Sequence, residues 1–230
     1  MSSSDAERLF PELCHSLGLT VQKVPEQVTK TPDFKVTAPS GAFYAEVKDL
    51  KPNPDEKRLL EKFRETKSIS FSLKLGHRAW GMIDEARYQL RAVSDQGLPA
   101  VIVLYDNIRL DDGTRFCEPG PLSAEHITAA MFGKWVVDLK IDKSTGEVLT
   151  SNDRCGQNES FTKDIKTYVS AVMVLSDYFE SLTATLYHNP FTSVPLPIGV
   201  FKGSNCYNMK ISIADTKRPQ SWVRCDSFES

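Results

Sequence analysis

Asp33, Glu46 and Lys48 are the residues of this chain whose types and spacing can do chemistry. Asp33 follows Pro32 at the start of one apolar run, and Glu46-Val47-Lys48 closes the next, with twelve residues between the two acids. Ala38-Pro39-Ser40-Gly41 lies between the runs and has the composition of a tight turn. The runs therefore read as a β-hairpin over residues 34–38 and 42–48. Alternate side chains of a strand share a face. Tyr44, Glu46 and Lys48 fall on one face; Phe43, Ala45 and Val47, small or apolar, fall on the other and suit a core. With Asp33 folded over the same end, two carboxylates and an ammonium converge. Two carboxylates repel unless a cation or a proton lies between them, and hard oxygen ligands suit Mg²⁺ or Mn²⁺. A lysine there can hold or polarise a water, or steady developing negative charge, which is the equipment for attack on a phosphodiester.

At these residues the chain resembles the PD-(D/E)XK nuclease superfamily, the restriction-endonuclease-like fold. Pro32-Asp33 and then Glu46-Val47-Lys48 match its motif. The resemblance implies Mg²⁺ (or Mn²⁺) held by Asp33, Glu46 and the main-chain carbonyl of Val47, with Lys48 beside the attacking water. It implies hydrolysis of nucleic acid to leave a 5′-phosphate and a 3′-hydroxyl, with DNA ahead of RNA and endonucleolytic ahead of exonucleolytic cutting. Many relatives dimerise to cut both strands, so a homodimer is a further expectation. One alternative is a relative that keeps the fold and binds nucleic acid or a protein partner without cutting; the intact Asp, Glu and Lys argue against it. Another is an ordinary surface hairpin whose Glu46 and Lys48 form an exposed pair of little energetic weight.

Residues 4–17 read as a helix, with Leu9, Leu13 and Leu17 spaced by four. Ser4 and Glu7 fit a capping box and Gly18 a helix end, while Pro11 leaves open a start at Pro11 itself. The resemblance places a glutamate of this helix near the metal. Glu7 and Glu12 are the candidates, and Glu7-Arg8-Leu9 with Gly18 fits better; the plain reading makes Glu7 a capping residue only.

Residues 51–78 carry eight basic and four acidic side chains, a local net of +4. Leu59, Leu60 and Phe63 mark an apolar helix face. Lys57, Arg58, Lys62, Arg64 and Lys67 are the candidate phosphate contacts, and a solvated amphipathic helix is the competing reading. Residues 80–95 repeat Met82, Ile83, Ala86, Leu90 and Val93 at helical spacing. Gln89 on this helix is carried over from the resemblance, in which some members use a glutamine to order the site. After Gly97-Leu98-Pro99, residues 100–105 are continuously apolar, the pattern of a strand buried on both faces in a parallel pairing. Hairpin, helix and buried strand then make a crossover unit, in the order expected of the superfamily core.

Beyond that core the expectations are a helix over 123–131, a strand over 134–141, a turn into 147–149 that extends one sheet edge, and a polar loop over 151–157. A helix over 161–175, a strand over 183–187 ended by His188-Asn189-Pro190, and edge strands in the last thirty residues follow. The fold class is α/β, a central mixed sheet flanked by helices with C-terminal β additions. It forms a single nuclease-like domain over 1–230, with a core of about 4–110 and an extension of about 111–230.

Composition narrows the alternatives. Hydrophobic residues are 40% and charged residues 25%, as in a soluble globular protein. A net charge of −2 gives no global pull toward nucleic acid, so such binding needs a local patch. Five cysteines without CxxC spacing argue against a disulfide framework and a zinc site, and for a reducing compartment. No signal peptide or membrane-length apolar run is present, and the expected location is cytoplasmic. Neither a G-x-S-x-G turn nor a GxxxxGK[ST] loop occurs.

Overall fold

A computed structural model of the chain describes residues 4–25, 31–70, 74–110, 113, 120–133, 135–155, 161–177, 181–211 and 221–225. In chain order the elements are α1 (Asp5–Ser16), β1 (Thr20–Lys23), β2 (Phe34–Ala38), β3 (Gly41–Leu50), α2 (Pro54–Thr66), α3 (His77–Arg91) and β4 (Ala100–Asp106). They continue with α4 (Ala124–Phe132), β5 (Trp135–Ile141), β6 (Val148–Cys155), β7 (Ala171–Ser176), β8 (Thr183–His188), β9 (Cys206–Lys210) and β10 (Val223–Arg224). Eight strands form one mixed sheet in the order β1-β2-β3-β4-β7-β8-β9-β10. The α/β class, a mixed central sheet flanked by helices, is the one the sequence implies.

The expected hairpin is β2–β3, with Phe34 opposite Ala45 and Ala38 opposite Gly41. On its other side β3 runs parallel to β4, and β4 runs parallel to β7. All positions of β4 are buried, as a run of Val, Ile and Leu with no polar face requires. Side-chain alternation divides the interior in two. Phe43, Ala45, Val47, Val101 and Val103 pack with Phe10 and Leu13 of α1 on one face. Tyr44, Ile102 and Leu104 pack with Ile83 and Leu90 of α3 and Ile127 of α4 on the other. Each buried Val, Leu, Ile or Phe among them contributes roughly 1.5–3 kcal/mol by leaving water.

The helices are fixed at their starts. In α1 the Ser4 hydroxyl accepts the Glu7 N–H at 3.2 Å, and the Asp49 carboxylate of β3 accepts the Ala6 N–H at 2.9 Å. The helix therefore begins at Asp5 and carries Pro11 inside it, rather than starting there. In α2 a full capping box joins Asn53 and Glu56, with Pro54 in the first turn. At the start of α3, Gly76 has φ +71°, and a Cβ there would sit 2.8 Å from the Ala129 Cβ of α4. Only glycine permits that crossing without strain.

Four expectations are corrected. Residues 161–175 do not form a helix: the chain turns at Thr162–Ile165, Lys166 has φ +54°, and β7 begins at Ala171. The apolar stripe there also fits a buried strand, and Ala-Val-Met-Val-Leu over 171–175 is the same kind of run as β4. The polar stretch from Ser151 to Cys155 belongs to strand β6; residues 156 and 157 lie outside the described residues. The β5–β6 hairpin is a separate two-stranded sheet rather than an edge extension, because β1 and β10 occupy the edges. Finally, of the edge strands expected in the last thirty residues around Val200-Phe201 and Met209 to Ile213, β10 is at the sheet edge, β9 is interior between β8 and β10, Ile198–Val200 is a 3-10 turn, and residues 212–213 lie outside the described residues. β1 is a strand that no periodicity announced; it pairs with β2 over four residues and is mostly exposed.

Candidate functional site

β2 ends its pairing at Phe34 opposite Ala45, so Asp33 and Glu46 fall at the next rung, just past the ladder. There the Asp33 side chain takes over the role of a strand partner: Val47 N–H donates to Asp33 Oδ2 at 2.8 Å. The N–H and C=O of one residue leave a strand on the same side, so the Val47 carbonyl also points toward Asp33. Glu46 is paired in register with Ile102 and faces the α3 side of the sheet. It is 1% exposed. Its Oε1 lies 2.9 Å from Lys48 Nζ, while its Oε2 is buried with no hydrogen-bond partner. Asp33, Glu46 and Lys48 are thus brought together, as the spacing implies.

The electrostatics follow from burial. Burial pushes Glu46 up, the Asp33 charge pushes it further, and Lys48 only partly offsets this, so its pKa reaches about 7. Asp33 is also raised, first by burial and then by the Glu7 charge, against the opposing Val47 N–H and Lys48. Burial lowers Lys48, but Glu46 and Glu85 outweigh it and hold the ammonium above its usual value.

Glu85 of α3 is the site residue that sequence reasoning missed: its Oε1 lies 3.5 Å from Lys48 Nζ. α3 runs antiparallel to β3. Arg78 at its start bonds the Lys51 carbonyl, Glu85 meets Lys48, and Gln96 just past its end accepts from the Tyr44 hydroxyl. Gln89 therefore falls between the levels of Lys48 and Tyr44, the stretch that holds Glu46. Its Oε1 is buried without a partner. No local signal marks Glu85, because its contact with Lys48 depends on how α3 packs along β3.

Glu7 belongs to the opposite face, on α1, where its carboxylate pairs with Lys23 at 3.0 Å while its charge still reaches Asp33. Glu12 is an exposed partner of Arg8 at 3.0 Å. Of the basic candidates, Lys57 and Arg64 line a groove of about 400 Å³ with Asn107 and Arg109. This groove lies at the carboxyl ends of β3 and β4, where Asn107 N–H bonds the Leu50 carbonyl. Arg58 is exposed and ion-paired with Asp55; Lys62 and Lys67 are exposed, and none of the three lines the groove.

Among the described residues, no three His, Cys, Asp or Glu side chains form a metal-holding group. The donor set here is smaller: two carboxylates and a main-chain carbonyl. It still fits a hard divalent cation. The two acids have raised pKa values and repel each other, and buried Glu46 Oε2 makes no hydrogen bond of normal geometry, the Asp33 N–H lying near enough only to lower the Glu46 pKa in part. No family model, curated protein or solved structure matches the chain. No helix among the described residues is long and apolar enough to cross a membrane.

Proposed function

We propose that this protein is a metal-dependent phosphodiesterase that cuts nucleic acid, with its site at Asp33, Glu46 and Lys48. The observation that carries the reading is buried Glu46 Oε2, an unpartnered acceptor beside a second carboxylate. Burying such a group without a partner is costly, and native chains rarely keep one without use. Asp33, Glu46 and the Val47 carbonyl would hold Mg²⁺ or Mn²⁺. The cation, when bound, neutralises phosphate oxygens and lowers the pKa of a water. Lys48 stays charged throughout and donates hydrogen bonds, either to the attacking water or to a phosphate oxygen. Glu85 positions that ammonium from α3. Lys57, Arg64 and Arg109 offer cationic contacts to a phosphodiester backbone along the groove.

The superfamily resemblance supports the same reading. So does the element order, in which hairpin β2–β3, helix α3 and buried parallel strand β4 follow one another. DNA is the preferred substrate, with 5′-phosphate ends as product, in a cytoplasmic setting and with a homodimer to cut both strands. A second reading, a scaffold that binds without cutting, is favoured by the direct Lys48–Glu46 pair, which satisfies the lysine without a substrate.

A panel of labelled single- and double-stranded DNA and RNA, incubated with Mg²⁺, Mn²⁺ or chelator, separates the two. The expected result is cleavage with either cation and none with chelator. Retention of nucleic acid without cleavage under every cation condition would establish the scaffold reading instead.

A further inference from the structure

A second polar constellation lies three strands from β3, on the other face of the sheet. Ala184 and Leu186 of β8 enter the core beside α1, so by alternation His188 takes that side too. Glu46 faces α3. Crossing from β3 to β8 spans roughly 14 Å at the usual strand spacing, so the two sites are separate.

His188 lines a cleft of about 320 Å³ together with Lys210, Leu196, Ile198, Ile211 and three prolines. That volume is at the small end for ligand sites. His188 is 8% exposed, and its Nε2 lies 3.0 Å from Asn208 Oδ1. The Asn208 amide is oriented by its other end, since Nδ2 donates to the Phe201 carbonyl at 3.0 Å. Oδ1 therefore faces the ring, Nε2 carries the proton, and Nδ1 keeps its lone pair. No described residue donates to Nδ1. Burial first, and then Lys210, lower the ring's pKa against the opposing Asn208 bond.

The other polar side chains of the cleft are already used. Ser170 donates to the Val194 carbonyl and accepts the Ala100 N–H. Asn189 donates to the Val169 carbonyl and accepts the Phe191 N–H. Thr192 donates to the Thr167 carbonyl. Lys210 is exposed and makes no ion pair with a described residue. The cleft thus offers one imidazole acceptor, one ammonium and an aliphatic wall.

We propose that this cleft binds a small aliphatic carboxylic acid with an N–H or O–H donor next to its carboxylate. The carboxylate meets Lys210, the donor meets His188 Nδ1, and the chain packs on Leu196, Ile198 and Ile211. This is the chemistry shared by aliphatic α-amino and α-hydroxy acids. It stands independently of the nuclease reading.

The test follows the His188 ring resonances of the full chain by NMR during titration with L-leucine, its 2-hydroxy analogue and 4-methylpentanoate, which lacks the donor. A saturable shift with either donor-bearing acid is expected, with the tighter one identifying amine or hydroxyl. 4-Methylpentanoate should bind at least about tenfold more weakly, as should either acid to Lys210→Ala, an exposed change that leaves the fold alone. No saturable shift up to about 10 mM, a millimolar limit being the weakest specific range, would overturn the proposal. So would equal binding of 4-methylpentanoate, or Lys210→Ala binding like the wild type.

Discussion

Glu46→Gln, Asp33→Asn and Lys48→Met should each lower the proposed cation-dependent cleavage by about 10³-fold or more, equivalent to about 4 kcal/mol of transition-state stabilisation. Each removes one charge and keeps the side chain's shape. A neutral amide in place of the Glu46 carboxylate could not share a cation with Asp33, and a thioether in place of the Lys48 ammonium cannot donate to an oxyanion. The choice of an amide for Asp33 follows from the geometry. Asp33 Oδ2 accepts the Val47 N–H at 2.8 Å, and an asparagine oxygen keeps that bond. Asp33→Ala leaves the amide without its acceptor, and should cost a further 1–3 kcal/mol or so of stability. The two Asp33 variants are therefore equally inactive but differ in denaturant midpoint. Wild-type cleavage in any of the three isosteric variants would remove that residue from the chemistry.

Glu46 contributes stability to the metal-free protein that is lost as pH rises from about 4.5 to about 7, while the lowered pKa values of His126 and His188 contribute in the opposite direction. The folded-state pKa of Glu46 is raised from an ordinary 4.5 to about 7. Between those values the folded chain binds more protons than the unfolded one, so unfolding free energy falls with rising pH. The stabilising contribution is fully present below the unfolded pKa and gone above the folded one. Its size is about 3 kcal/mol, or roughly 6–12 °C in Tm for a chain of this length. Asp33, also raised, adds in the same direction. Lys48 titrates far above this window and does not alter the sign. Thermal melts of metal-free wild type and Glu46→Gln across this range check it: the wild type should lose that amount of stability relative to the variant. Parallel pH profiles would show that Glu46 is ionised throughout and that its burial carries no strain.

Much of the site could be read from the chain because its chemistry is local. Asp33, the turn at 38–41 and Glu46-Val47-Lys48 lie in consecutive strands, and period-two alternation alone puts Glu46 and Lys48 on one face. β4 was equally plain, since only a strand covered on both sides is apolar at every position. Glu85 was not legible: it reaches Lys48 only because α3 runs antiparallel to β3, a tertiary fact. Gln89, which the superfamily resemblance implies, lies at the level of Glu46, one turn from the glutamate that touches the lysine. The stretch 161–175 failed for another reason. Ile165, Tyr168, Val169 and Val172 satisfy a helical period, yet Val172 pairs in the sheet with Ile102. Short apolar runs fit both periods, and the neighbouring strand decides between them. The β5–β6 hairpin is legible, but the end of its second strand, Ser151 to Cys155, reads as a loop because its sequence is polar.

The central claim is that Asp33 and Glu46 together hold a divalent cation. Calorimetric titration of the metal-free protein with Mn²⁺ at pH 8 measures it directly. One site with proton release is expected in the wild type, because a raised carboxyl must give up its residual proton when the ion enters. The heat should disappear in Glu46→Gln and in Asp33→Asn. Binding of equal strength in wild type and both variants, or none in the wild type, would contradict the account.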